Sequence, residues 1–79
     1  GNDTLTNAGT ISALTGSAVD MGDGNNVVTN SGTINGDVLA GAGIDTINNF
    51  GSLNGNVALG AGDDTLLNIG SISGNVSLG

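Results

Sequence analysis

The chain has no Lys, Arg, His, Cys, Pro, Trp, Tyr, Glu or Gln, and its ionisable side chains are seven Asp that set the formal net charge at −7. Each absence removes a class of chemistry. Without His, Cys, Lys, Tyr or Glu there is no ordinary general base, thiol nucleophile or Schiff-base amine. Without Arg or Lys there is no clamp for phosphate or for a developing anion, so the sequence is read as that of a protein that is not an enzyme. The missing cations also remove the electrostatic term that dominates nucleic-acid binding and attraction to anionic lipid surfaces. Nucleic acid is therefore not an expected partner; direct membrane insertion is not expected either, because Gly, Asn, Ser or Asp interrupts every apolar run, and no signal peptide is recognisable. Lack of cysteine excludes a disulfide framework and a Cys/His zinc site. A staple, if there is one, is an oxygen-liganded ion or repetition itself.

What is present is glycine, 16 of 79 residues, set among Asn, Ser, Thr and regularly placed Val, Ile and Leu. The chain aligns on itself as GDGNNVVTNSGTINGDVLA (residues 22–40), GAGIDTINNFGSLNGNVAL (residues 41–59) and GAGDDTLLNIGSISGNVSL (residues 60–78). An irregular first copy begins GNDTLTNAGTIS (residues 1–12) and carries four extra residues around ALTG (residues 13–16) before rejoining at Val19; Gly79 opens a fifth. A nineteen-residue period indicates a solenoid, in which no copy buries its apolar face alone and each stacks on its neighbours.

Within a copy the apolar residues alternate with a period of two, the strand period. Leu66, Asn68, Gly70, Ile72, Gly74, Val76 and Leu78 share one parity. Across copies that parity collects Leu5, Val28, Ile47 and Leu66; Ile11, Ile34, Leu53 and Ile72; Val19, Val38, Val57 and Val76; and Met21, Ala40, Leu59 and Leu78. These four columns are the expected core. Because nineteen is odd, one residue per coil must fall out of step, and the Gly-x-Gly segments (Gly22 and Gly24, Gly41 and Gly43, Gly60 and Gly62) are where that happens without misdirecting a side chain. Asn-x-Gly and Asn/Ser-Gly supply two further corners. The fold class is therefore all-β: a single parallel β-solenoid (β-helix) segment over residues 1–79. It has about four coils of 19 residues (roughly 1–21, 22–40, 41–59 and 60–79) and three short strands per coil. Asn7, Asn30, Asn49 and Asn68 fall in register and are expected to form a hydrogen-bonded ladder. For Phe50, Ile69, Leu67 and Leu39, at out-of-step positions, two readings are open: an outward apolar strip, or burial under a neighbouring corner.

GAGDDTLLN and GAGIDTINN resemble the RTX nonapeptide, G-G-x-G-x-D-x-U-x with U apolar, lacking its first glycine. The whole copy also resembles the nineteen-residue repeats of giant bacterial adhesins and the Gly/Asn-rich β-helical passengers of autotransporters. The resemblance covers essentially the whole chain. It implies a right-handed solenoid and a calcium ion held by turn carbonyls and Asp carboxylates. Carried over by position, the ligands are Asp3, Asp45 and Asp64, with carbonyls from the turns at Gly41, Gly43, Gly60 and Gly62; Asn26 stands where the second copy would have its acid. Against this stands the reading of these Asp as solvated turn formers. The ice-binding variant of such repeats needs Thr and Asn flanking the second turn glycine, where this chain has Asp23 and Asn25, Ala42 and Ile44, Ala61 and Asp63; ice binding is not expected.

A polysaccharide-cleaving role for Asp63 and Asp64 beside Asp45 lacks the basic partner such sites need. Sequons at Asn2 and Asn75 are as common as chance allows in so Asn-rich a chain. Both ends fall within a repeat, so the sequence is read as a mature internal piece of a longer solenoid or as a unit that stacks into a fibre. The expected role is a structural module of a secreted or surface-exposed bacterial adhesin or extracellular filament. Its expected partners are itself, end to end or laterally, neighbouring repeats of a longer chain, or a carbohydrate or cell-surface target. The alternative is an RTX-like module that folds on calcium outside the cell.

Overall fold

The computed structural model describes residues 1–78, apart from the side chains of residues 14 and 15; the fifth-copy position expected at Gly79 lies outside the described residues. Ten strands follow one another: β1 (Thr4–Asn7), β2 (Thr10–Asp20), β3 (Val27–Asn30), β4 (Thr33–Leu39), β5 (Thr46–Asn49), β6 (Ser52–Asn54), β7 (Val57–Ala58), β8 (Thr65–Asn68), β9 (Ser71–Ile72) and β10 (Val76–Ser77). Every pairing is parallel, and from the second coil upward partners are one nineteen-residue repeat apart, as with Thr46 beside Val27 and Thr65 beside Thr46. The chain is a β-solenoid measuring 26 × 26 × 21 Å.

One wall is the sheet β1-β3-β5-β8. The rest of the circumference is a second sheet in which β4 pairs with β2 below and with both β6 and β7 above, and these continue to β9 and β10. Three strands per coil describe the upper two coils. In the lower two the second and third segments are one continuous strand, because β2 and β4 stay paired through the corner, Ser17 beside Asp37. The extra residues of the first copy are absorbed there as irregularities between Ser12 and Ser17 and between Ser17 and Val19.

The four apolar columns line the interior as the alternation requires, except that Val76 and Leu78, the top members of two of them, have no coil above and are exposed. Val19, Val28, Ile34, Val38, Ala40, Ile47, Leu53, Val57 and Leu59 form the buried core, with Leu5, Ile11, Met21, Leu66 and Ile72 packed against it from the end coils. The out-of-step residues divide: Phe50, Leu67 and Ile69 are exposed, and Leu39 is half-buried. Inside the first corner, Asn7 Nδ2 donates to Asn30 Oδ1 (2.8 Å), Asn30 Nδ2 to Asn49 Oδ1 (2.9 Å) and Asn49 Nδ2 to Asn68 Oδ1 (2.8 Å). This is the ladder that the register implies, and the amides of Asn30 and Asn49 are fully buried.

Glycine is required at the corners for two different reasons. The Gly-x-Gly turn needs left-handed backbone: φ is 86° at Gly41 and 126° at Gly43. At the Asn-x-Gly corner φ is not positive, and the constraint is stacking. A Cβ on Gly51 would run into the carbonyl oxygen of Gly32 in the coil beneath, with the Ser31 carbonyl carbon 2.9 Å away. Neither obstacle is a side chain that could swing aside. Gly51→Ala is therefore expected to cost about 1–3 kcal/mol, the usual scale for overpacking. Gly9→Ala in the lowest coil of the same column, where a Cβ meets nothing within 4 Å, should be close to neutral. Urea midpoints of the two variants check this, and equal midpoints would show that stacking does not govern the corner.

Candidate cation site on the acidic column

The residue four positions after the first turn glycine is Asn26, Asp45 or Asp64, two positions before the first inward apolar residue of its coil and so of inward parity. The structure turns all three side chains inward as one column. Asn26 Oδ1 accepts from Asp3 N (3.0 Å), Asp45 Oδ1 from Asn26 N (2.9 Å) and Asp64 Oδ1 from Asp45 N (2.8 Å). Each side chain thus satisfies the backbone N–H of the coil below with one of its two terminal atoms.

The second terminal atom separates the asparagine from the aspartates. Asn26 Nδ2 donates to the carbonyl oxygens of Gly22 (2.9 Å), Gly24 (3.3 Å) and Ala40 (3.2 Å). Its amide orientation is fixed by this network, with oxygen facing an N–H and nitrogen facing carbonyls. Asp45 Oδ2 and Asp64 Oδ2 are buried and have no hydrogen-bond partner, and the Asp45 side chain as a whole is 1% exposed. Buried polar atoms are almost always paired, and burying an unpaired carboxylate is costly. By the spacing of paired strands the two carboxylates lie about 5 Å apart, and at an effective dielectric constant of about 20 they repel by about 3 kcal/mol.

The donors available to relieve this are oxygens. The turn backbone repeats from coil to coil: φ is 75°, 86° and 74° at Gly22, Gly41 and Gly60, and 112°, 126° and 124° at Gly24, Gly43 and Gly62. Gly24 N donates to Ala42 O (2.9 Å) as Gly43 N does to Ala61 O (3.0 Å). The counterparts of the carbonyls around Asn26 are therefore those of Gly41, Gly43 and Leu59 for Asp45, and of Gly60, Gly62 and Leu78 for Asp64. One carboxylate oxygen with three carbonyls is a hard, all-oxygen donor set of the type calcium takes, needing water or the neighbouring carboxylate to complete six to eight ligands. No group of three acidic side chains converges among the described residues, so backbone supplies most of the donors. The residues present fit the ion.

Of the other positions expected to take part, Asp3 lies at the foot of the column and is exposed; its N–H is what Asn26 caps. The structure also gives further corner residues a coil-to-coil role that was not expected of them. Asn25 N donates to Asn2 Oδ1 (2.8 Å), Ile44 N to Asn25 Oδ1 (2.8 Å), Ala42 N to Asp23 Oδ1 (3.1 Å), Asn56 N to Asp37 Oδ1 (2.9 Å) and Asn75 N to Asn56 Oδ1 (2.9 Å). These side chains carry hydrogen bonding from coil to coil at the corners. Asn2 and Asn25, and Asp37, Asn56 and Asn75, are signalled by an Asn or Asp recurring at the same place in successive copies; Asp23, whose counterparts are Ala42 and Ala61, carries no such signal. Comparison of the chain with protein-family models, with curated proteins and with solved structures returned no match.

Proposed function

We propose that the protein is a non-enzymatic structural module, a segment of a secreted or surface-exposed bacterial adhesin or filament that works by rigid extension through coil stacking. The observation that carries this reading is the uniformity of the junction along the β1-β3-β5-β8 wall. There the same column partners and the same Asn-to-Asn bond recur at each step; in the second sheet the first copy's extra residues shift the register at the lowest step, and above it length is set by copy number. Composition supports it, since the chain lacks the side chains from which catalytic sites are ordinarily made.

Inserting further copies of residues 41–59 after Leu59 tests the extension. Each copy is expected to lengthen the particle by about 4.8 Å in small-angle X-ray scattering and to raise the urea midpoint, because each adds a stabilising interface. Inserts that unfold the chain or leave its length unchanged overturn the reading. End-to-end association predicts filaments at high concentration by electron microscopy; a chain that stays monomeric there removes that part of the proposal.

The unpartnered oxygens of Asp45 and Asp64 favour a second reading, a module whose upper coils order on calcium outside the cell, where calcium is abundant. Calcium binding is linked to folding when the site exists only in the folded chain. On this reading chelator lowers the thermal midpoint and calcium restores it; circular dichroism indifferent to both leaves the structural reading alone.

A further inference from the structure

We infer that Asn26 is a built-in substitute for a bound cation: its amide nitrogen satisfies, in the second coil, the turn carbonyls that calcium would satisfy in the coils of Asp45 and Asp64. The inference rests on the calcium reading of those two coils and goes beyond it, because it makes the solenoid cation-independent below and cation-dependent above.

The argument starts from three side chains of nearly equal shape in one column on one repeated turn. Each uses Oδ1 identically, accepting the N–H of the residue one coil down. With that atom anchored and the turn glycines at matching φ, the other terminal atom is brought to the same place in all three coils. The surroundings of that place are known from Asn26, where three carbonyl oxygens converge on Nδ2. A cluster of carbonyls calls for positive charge or hydrogen-bond donors at its centre. Asn26 brings two N–H groups and no charge, and the coil closes with every atom of its side chain paired. Asp45 and Asp64 bring an oxygen instead, and it has no partner. A divalent cation supplies to that cluster what the amide supplies in the coil below, and the carboxylate balances its charge.

The substitution is thus a switch in chemistry at constant geometry, and it runs both ways. Asp45→Asn and Asp64→Asn each give those carbonyls the N–H donors of an amide in place of the cation. Asn26→Asp removes the amide and adds a carboxylate facing the carbonyls of Gly22, Gly24 and Ala40.

Isothermal titration with calcium chloride and thermal unfolding in calcium or in chelator, on the whole chain, test this. The wild-type chain is expected to bind two calcium equivalents, one for each unpartnered carboxylate. Asp45→Asn and Asp64→Asn should each lose one equivalent and raise the midpoint in chelator above that of the wild type. The double variant should bind none and have the same midpoint with and without calcium. Asn26→Asp should lower the midpoint in chelator and gain a third equivalent. Because Asn26→Asp could fail to fold without metal, the two Asp→Asn variants decide the matter independently. If the wild type binds calcium and the Asp→Asn variants are destabilised in chelator, the calcium reading stands and the substitute role of Asn26 is wrong. If the wild type binds none, the reading and the inference fall together.

Discussion

Asn49→Asp is expected to abolish folding at neutral pH. Asn49 is fully buried, and its Nδ2 donates to Asn68 Oδ1 (2.8 Å), Ser71 O (3.0 Å) and Gly51 O (3.3 Å), while its Oδ1 accepts from Asn30 Nδ2 (2.9 Å). The change keeps shape and volume and keeps the bond to Asn30, so packing is not disturbed. What changes is one atom: a donor shared by three acceptors becomes an anionic oxygen facing them. Leaving a buried charge without a partner costs about 3–5 kcal/mol, and the three stranded acceptors add to that. Small domains have about 0.05–0.15 kcal/mol of stability per residue, so a loss of this size removes most or all of it. The variant should show no β-signal by circular dichroism under conditions where the wild type is folded. Asn68→Asp is the control, since Asn68 is exposed and lies at the upper end of the ladder; it should remain folded. An Asn49→Asp chain with a wild-type urea midpoint would mean that the ladder is incidental to stability.

The ladder and the core were legible because both depend on two numbers, the nineteen-residue period and the two-residue alternation. Together these place Val28 under Ile47 and Asn30 under Asn49, and the observed register agrees. The acidic column was legible in position and less so in orientation. Asp45 shares the parity of Ile47, so the alternation already turned it inward, but a carboxylate inside a corner conflicts with the view of Asp as a solvated turn former. The conflict is resolved by Oδ1, which has a backbone N–H to accept from, and is left open at Oδ2. Two features could not be read from residue type. The requirement for glycine at Gly32, Gly51 and Gly70 comes from the coil beneath, a contact between residues distant in the chain. The merging of two strands into β2 and into β4 depends on pairing that persists across a corner carrying the same Asn-Gly in the coil above, where the strands are separate. In each case local sequence is the same or permissive and the stacked neighbour decides.

Ile34→Ala should be the most damaging truncation of the core, and its size follows from where the coil sits in the stack. Ile34 is fully buried in β4, between Ile11 below and Leu53 above. Removing three carbons there opens a cavity that neither neighbour can fill without leaving the register that its own strand imposes. Truncations of this kind cost about 2–5 kcal/mol, with the upper end reached where the site cannot collapse, and a chain this small buries too little surface to absorb such a loss. Ile72→Ala removes the same atoms from the top coil of the same column, where the side chain is half-buried and has a neighbour on one side only, and about a third to a half of the cost is expected. In a stack held together by interfaces between adjacent coils the two variants should also fail differently. Loss at Ile34 cuts the stack between its second coil and both neighbours, so unfolding should be a single transition at lower urea. Loss at Ile72 should fray the fourth coil alone, seen as early hydrogen exchange of the Thr65 and Ser73 amides, which bond to the Asp45 and Leu53 carbonyls of the coil beneath, with the exchange of Val28, Ile34 and Val38 unchanged. Equal urea midpoints for the two variants, or uniform exchange in Ile72→Ala, would mean that the coils do not behave as separable layers.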